Sequence, residues 1–317
     1  MLYKTVGIIG AGAWGTALAI NIARGGANVI LWSFDGEYKH FENIDIPKSL
    51  TVVTDPKDLK SADLWLNVTP AVFFRETIQK FTKYYNQQPV IICTKGADCR
   101  THEFMTEILQ SELPKCTDFG VLSGPQFAHE VALGIPTGST LAGTSAKVME
   151  AGLQTLNLSY LDVTSDIIGT QIAGVGKNVM ALIAGYIHET IKSENERALI
   201  FTRCCNEIIK LGLALGAELK TFTGLCGLGD LFLSATSPTS RNYSGGIAIA
   251  RNEELVGTIE GIYAYETLIV RARKLDCDTP VLDEMREKMH KIIRNSPKYQ
   301  DLFEQKTYVC GICCQKQ

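Results

Sequence analysis

Between Ile167 and Ile187 the chain carries a single charged residue, Lys177. If this apolar stretch is a helix, the positions three, four and seven residues away on its face are Ala173, Gly174, Ala181 and Ala184, so small groups flank the lysine stem. An ammonium held in a tight, poorly solvated place loses part of its preference for charge, and its pKa falls toward the range useful for proton transfer. A lone helical lysine ordinarily snorkels into water. The flanks argue against that here, but they do not identify a reaction.

A second chemical feature lies near the start. Gly10-Ala-Gly12-Ala13-Trp14-Gly15 follows a β-branched run directly and opens an amphipathic stretch. In that setting the glycine pattern reads as a dinucleotide turn rather than a bare loop. Gly10 permits the tight strand-to-helix turn, Gly12 lets a pyrophosphate approach bare backbone, and Gly15 lets the helix pack on the sheet. Amide N–H groups around Ala13 and the helix dipole then bind the phosphates. Asp35, about twenty residues further on, stands where a carboxylate accepts the ribose hydroxyls and repels a 2′-phosphate. Asp35 therefore favours NAD over NADP, with the competing reading that it caps the turn with Gly36 and with Lys39 close by.

Four further polar clusters are Thr94-Lys95-Gly96, Ser123-Gly124-Pro-Gln126-Phe-Ala128, Gly227-Leu-Gly-Asp230 and Ser240-Arg241-Asn242. The first two follow predicted strands, and the C-terminal ends of parallel strands are where open sheets bind ligands. Singly, each cluster reads as a turn, a cap or a surface charge. Taken in order with the glycine turn, Gly176-Lys177-Asn178 and Glu260-Gly261, they resemble the NAD(P)-dependent glycerol-3-phosphate dehydrogenase family, closest to its bacterial-type members, over nearly the whole chain.

The resemblance implies a reversible hydride transfer between NAD(P)H and dihydroxyacetone phosphate, giving sn-glycerol 3-phosphate for glycerophospholipid synthesis. It implies that Lys177 is the proton donor and acceptor, that Asp230 orients it, and that Lys95 supports the reaction. Substrate is then held by Lys95, Gly124, Gln126, Lys177, Asp230, Ser240, Arg241 and Asn242. Cofactor contacts carried over in the same way are Trp14, Lys95, Ala128, Arg241 and Glu260. A developing alkoxide needs a proton and nearby positive charge, and an arginine fork suits a phosphate in a way a lysine does not.

The chain departs from the family pattern in places. Gln126 stands where bacterial-type members have serine or threonine, the stretch from Asn242 to Glu260 is short, and the tail from Tyr308 is unlike the family. Two other readings compete: a related lysine-dependent hydroxyacid dehydrogenase, whose substrates present a carboxylate, and a non-catalytic NADH-binding sensor. Lys177 and Asp230, which a sensor would not need, argue against the latter.

The elements that must position these residues are legible as alternating runs. Thr5 to Ile9, Val29 to Trp32, Thr51 to Val53, Leu64 to Val68, Val90 to Thr94 and Phe119 to Leu122 predict parallel strands, and Ser139 to Ala142 and Tyr160 to Val163 extend them. From Ile167 the texture is helical: Ile172, Val175, Val179, Ile183 and Ile187 recur at three- and four-residue steps. The expected fold is α/β, with an N-terminal Rossmann-type, doubly wound, mostly parallel sheet in residues 1–165 and an all-α domain in residues 166–317.

Bulk composition narrows the partners. With 317 residues, 45% of them hydrophobic, the chain can bury two medium cores. A net charge of -3 offers no cationic field for nucleic acid. The apolar stretch from Val6 to Ala23 is broken by glycines and Ile167 to Ile187 by polar residues, so neither predicts an export signal or membrane insertion. Ten cysteines spread along the chain read as reduced cytoplasmic thiols. Cys310, Cys313 and Cys314 have a metal-like first spacing without a second pair or histidine, so no metal is expected. A homodimer is compatible with all of this.

Overall fold

Parallel strands buried on both faces read as continuous β-branched and leucine runs. In the computed structural model, which describes residues 3–299, such runs form β1 (Thr5–Ile9), β2 (Asn28–Trp32), β3 (Leu50–Val53), β4 (Leu64–Asn67), β5 (Val90–Ile92), β6 (Phe119–Ser123), β7 (Gly138–Gly143) and β8 (Tyr160–Thr164). They join in one eight-stranded sheet of order β3-β2-β1-β4-β5-β6-β7-β8. Each neighbouring pair is parallel except β6 and β7, which run antiparallel with Val121 opposite Ala142. The α/β, mostly parallel expectation holds, and every run read from the sequence is a strand.

The order reverses between β1 and β4, both of which pair with parallel register, Val6 opposite Leu64. A crevice at such a reversal, at the carboxyl ends of the strands, is where this architecture takes ligands. Gly10 follows β1 at that end. α1 (Ala13–Arg24), α2 (Ala71–Phe81), α3 (Met105–Glu112), α4 (Ala128–Leu133) and α5 (Ala146–Thr155) connect the strands. One apolar cluster gathers Leu18, Ile22, Leu66 and Leu141, a second Trp65, Phe74, Phe81 and Ile108.

From Ile167 the chain is helical, as its three- and four-residue spacing demands: α6 (Ile167–Thr190), α7 (Glu194–Ala214), α8 (Leu219–Thr223), α9 (Asp230–Thr236), α10 (Arg241–Arg251), α11 (Glu260–Lys274) and α12 (Pro280–Asn295). Helix α6 is long and apolar enough to cross a bilayer, yet 78% of its apolar window is buried within the protein, which makes it a core helix. Val175, Val179 and Ile183 on α6 pack with Leu211, Leu268 and Leu282.

Contacts divide the chain into two units. One runs to Lys95 and resumes over Met105–Thr170; the other comprises Gly96–Phe104 and the chain from Gln171 onward. Ala97 and Phe104, paired by an isolated bridge, belong to the helical core.

Of the seven described cysteines, Cys93, Cys99, Cys116, Cys204 and Cys226 are buried. Burial pushes the thiols of Cys99 and Cys116 up to about 11 and that of Cys205 up to about 12. Cys310, Cys313 and Cys314 lie outside the described residues.

Candidate functional site

The glycine turn has the geometry its spacing requires. Gly10 has φ +111°, a conformation that L side chains rarely adopt. A Cβ on Gly15 would lie 1.9 Å from the Gly10 carbonyl oxygen, so α1 approaches the turn as closely as its backbone permits. A Cβ on Gly12 would meet nothing within 4 Å, leaving a cradle of bare backbone at the start of α1. The buried indole Nε1 of Trp14 has no partner. Open backbone at a helix N-terminus beside unspent donors suits a dinucleotide pyrophosphate.

Neighbouring strand ends contribute to the same unit. Asn67, at the end of β4, accepts from the Thr69 amide at 3.1 Å and its hydroxyl at 2.8 Å, while its own Nδ2 is buried without a partner. The Thr94 hydroxyl donates to the Thr69 carbonyl at 2.7 Å. Lys95 Nζ donates to the Gly124 carbonyl at 2.9 Å, which brings together two residues singled out from the sequence. Both amide atoms of Gln126 are buried and unpartnered, and Ala128 opens α4.

Asp35 is exposed, and its Oδ1 accepts from the Glu37 amide and the Ser33 hydroxyl, both at 3.0 Å. These bonds hold its carboxyl below the usual carboxylate range. Here Asp35 caps the turn around Gly36, whose φ is +86°. Sequence reasoning passed over Phe34, 75% exposed just past β2 with Lys80 Nζ 4.9 Å from its ring centroid, and Phe73, also exposed on α2. An aromatic residue just after the β2 run was the available signal.

In the helical unit, Lys177 Nζ lies 3.2 Å from Asp230 Oδ1 and donates to Ser234 Oγ at 3.0 Å. Ser234 in turn donates to Asp230 Oδ1 at 3.3 Å. The lysine side chain is 14% exposed and that of Asp230 only 1%, so the pair is largely withdrawn from water. Ala173, Ala181 and Ala184 are buried on the lysine's own helix, but bulkier groups also line the cavity beside its stem, among them Met180, Ile208 and Phe222. Ser234 was missed, although its place four residues after Asp230 sets both on one helical face.

The motif around Arg241 divides into scaffold and free parts. Ser240 caps α10, accepting from the Tyr243 amide at 3.4 Å. The buried Asn242 donates to Asn178 Oδ1 at 2.9 Å and accepts from the Gly261 amide at 2.8 Å, tying α6, α10 and α11 together. Its role here is to brace the site. Arg241 is exposed at the first position of α10, where the helix dipole adds to its charge. Burial pushes the Glu260 carboxyl up to about 7, against the pull of the Arg241 guanidinium.

A buried ammonium, carboxylate and hydroxyl in mutual contact can deliver a proton in a fixed direction. An arginine at a helix N-terminus can take a phosphate.

Residues 5–149 match the family described as NAD-dependent glycerol-3-phosphate dehydrogenase N-terminus, and residues 166–304 the family described as its C-terminus. The chain is 35% identical to a glycerol-3-phosphate dehydrogenase (NAD(P)+) of Parvibaculum lavamentivorans, over 95% of each chain. It is 38% identical to the protein of the same name from Afipia carboxidovorans, over 89% of this chain and 90% of that one. Among solved structures, glycerol-3-phosphate dehydrogenase from Coxiella burnetii is similar with a TM-score of 0.85 and 28% identity, covering 96% of this chain and 100% of that one.

Proposed function

The chain belongs to the NAD-dependent glycerol-3-phosphate dehydrogenase family, and on that premise we propose that Lys177 gives and takes the proton in the reversible reduction of dihydroxyacetone phosphate to sn-glycerol 3-phosphate. The protein is an NAD(P)-dependent oxidoreductase acting on that pair. One observation carries the assignment of the proton: the contact of Lys177 with Asp230 and Ser234 in a site largely closed to water.

When bound, the reduced nicotinamide supplies hydride to the ketone carbon. Lys177 Nζ delivers a proton to the carbonyl oxygen and recovers one in the reverse direction, while Asp230 fixes the amine's direction and balances its charge. Ser234 holds the amine from a second side. Lys95 supplies further positive charge for the oxyanion, with Gly124 and Gln126 beside it on the substrate. Arg241 and Ser240, at the start of α10, take the phosphate. The turn from Gly10 to Gly15 receives the pyrophosphate on the backbone of Gly12 and Ala13, with Trp14, Ala128 and Glu260 as further cofactor contacts.

On this reading, residues 1–165 bind the dinucleotide and residues 166–317 supply substrate and proton chemistry. The enzyme works in the cytoplasm, as a homodimer, and feeds glycerophospholipid synthesis. The deciding assay follows NADH and NADPH oxidation with dihydroxyacetone phosphate, with 2-ketoacids as controls. Turnover with the ketoacids and none with the phosphate would overturn the substrate assignment.

Two substitutions test the binding roles. Arg241→Lys is expected to raise KM for dihydroxyacetone phosphate about tenfold, the loss of one charge-assisted bond worth ~1.4 kcal/mol, because a point charge cannot match a planar fork. An unchanged KM would place the phosphate elsewhere. Asp35→Ser is expected to raise kcat/KM for NADPH relative to NADH. Asp35→Asn retains the acceptor that holds the turn but drops the charge, so a shift in both variants assigns the preference to electrostatics. Equal use of the two cofactors by the unaltered protein would remove Asp35 from this role.

A further inference from the structure

Helix α7 carries none of the reacting groups, yet it touches both arms of the proton-transfer site. A Cβ on Gly176, the residue preceding Lys177, would lie 2.6 Å from Ile208 Cγ2. One turn further along α7, a Cβ on Gly212 would lie 2.4 Å from Phe222 Cζ, 3.1 Å from Phe222 Cε2 and 3.4 Å from Ile172 Cγ2. Ile208 and Gly212 are four residues apart, so they share a face.

Phe222 passes that contact on. Its ring bears on α7, while its backbone bears on the turn that leads to Asp230: a Cβ on Gly227 would lie 2.2 Å from the Phe222 carbonyl oxygen. Leu225–Gly229 is a π-helical turn, closed by the Gly229 amide on the Gly224 carbonyl at 3.2 Å and leading directly into Asp230. Such turns add a residue to a helical circuit and rotate the next stretch of helix, and they recur at functional sites. Phe222, Gly227, Ile208 and Lys177 meet around one apolar cavity of about 50 Å³.

We infer that α7 is the gauge for the proton-transfer site: through Ile208 on Gly176 and through Phe222 on Gly212, it sets Lys177 against Asp230 and Ser234, which makes Gly212 and Phe222 positioning residues. The inference rests on the proton-transfer role of Lys177 proposed above. Adding a methyl at Gly212 pushes the Phe222 ring, and with it the turn before Asp230. The loss falls on alignment rather than on binding, since Arg241 is on α10 and the cofactor turn belongs to the other unit.

The test is a cycle of Gly212→Ala, Phe222→Leu and the double variant, since leucine lacks the Cζ and Cε2 atoms that the new methyl would strike. Gly212→Ala is expected to lower kcat by roughly ten- to a hundredfold, the scale of an ångström's misplacement far from the chemistry. KM for dihydroxyacetone phosphate and Kd for NADH should stay within about twofold while the pH-rate profile shifts, and the double variant should recover most of kcat. Unaltered kcat and pH profile in Gly212→Ala, or a double variant that regains thermal stability but not turnover, would overturn the inference. Should Gly212→Ala not fold, Phe222→Leu alone is read, and unchanged kcat and pH profile there overturn it equally. A parallel Lys177→Ala variant separates the two ideas: an inactive Lys177→Ala with a fully active Gly212→Ala sinks the gauge alone, whereas an active Lys177→Ala sinks the proton assignment itself.

Discussion

Lys177→Ala is expected to lower kcat by about a hundred- to ten-thousand-fold, the usual worth of a positioned proton donor, while the Kd for NADH stays within about twofold. The direction comes from where the amine sits. It is the cation in contact with Asp230 and Ser234, and its truncation leaves the substrate oxygen without a proton source on that side. It also takes the Lys177 ammonium away from a 1%-exposed carboxylate, and breaking a buried pair in this way costs about 3–5 kcal/mol. A fall in Tm is therefore part of the expectation, and NADH titration by fluorescence distinguishes a folded, inactive enzyme from an unfolded one. Lys177→Ala/Asp230→Ala removes the stranded charge, so its Tm should partly recover while its turnover does not. Turnover near the unaltered level in Lys177→Ala would remove the lysine from its role.

The second large effect is at the glycine turn. Gly15→Ala places a methyl 1.9 Å from the Gly10 carbonyl oxygen, and that oxygen belongs to backbone fixed by the Gly10 amide bond to the Trp32 carbonyl at 3.0 Å. No rotamer relieves the clash, so the start of α1 must move away from the sheet. The expected result is a stability loss of about 1–3 kcal/mol, as in overpacked cores. NADH affinity should fall at least about a hundredfold, or ~2.7 kcal/mol. Gly12→Ala supplies the contrast. Its methyl meets no protein atom, so the unliganded protein should keep its Tm while NADH binding weakens. Equal Tm in all three proteins, with equal NADH affinity, would show that the turn does not bind the cofactor.

The strands were legible because each is a short run rich in β-branched or apolar residues, fully buried in β4 to β7 though largely exposed or half-buried in β3 and β8. The antiparallel course of β7 was not, since pairing direction is settled by neighbours in space; Ser139 to Ala142 reads the same either way. Lys177 announced itself by charge within an apolar stretch, and Asp230 only through the family resemblance of the glycine-rich cluster that holds it. Ser234 did not, because a serine inside a helix is ordinary until a partner four residues earlier is known to matter. The π-helical turn before it brings the Phe222 carbonyl against Gly227, a local backbone geometry that the residue types there do not signal. Asn242 shows a part that motif position did not convey: its amide braces Asn178 and Gly261 across three helices.

The sulfur chemistry of the described chain has a bearing on life under oxidant stress. A thiol titrating near 11 keeps only about one part in ten thousand as thiolate at neutral pH, and peroxides and electrophiles attack the thiolate. Cys205, which lines the same cavity as Lys177, is guarded still more strongly. Sulfur so placed serves as apolar filling, and these three thiols are poor targets for oxidants that need a thiolate.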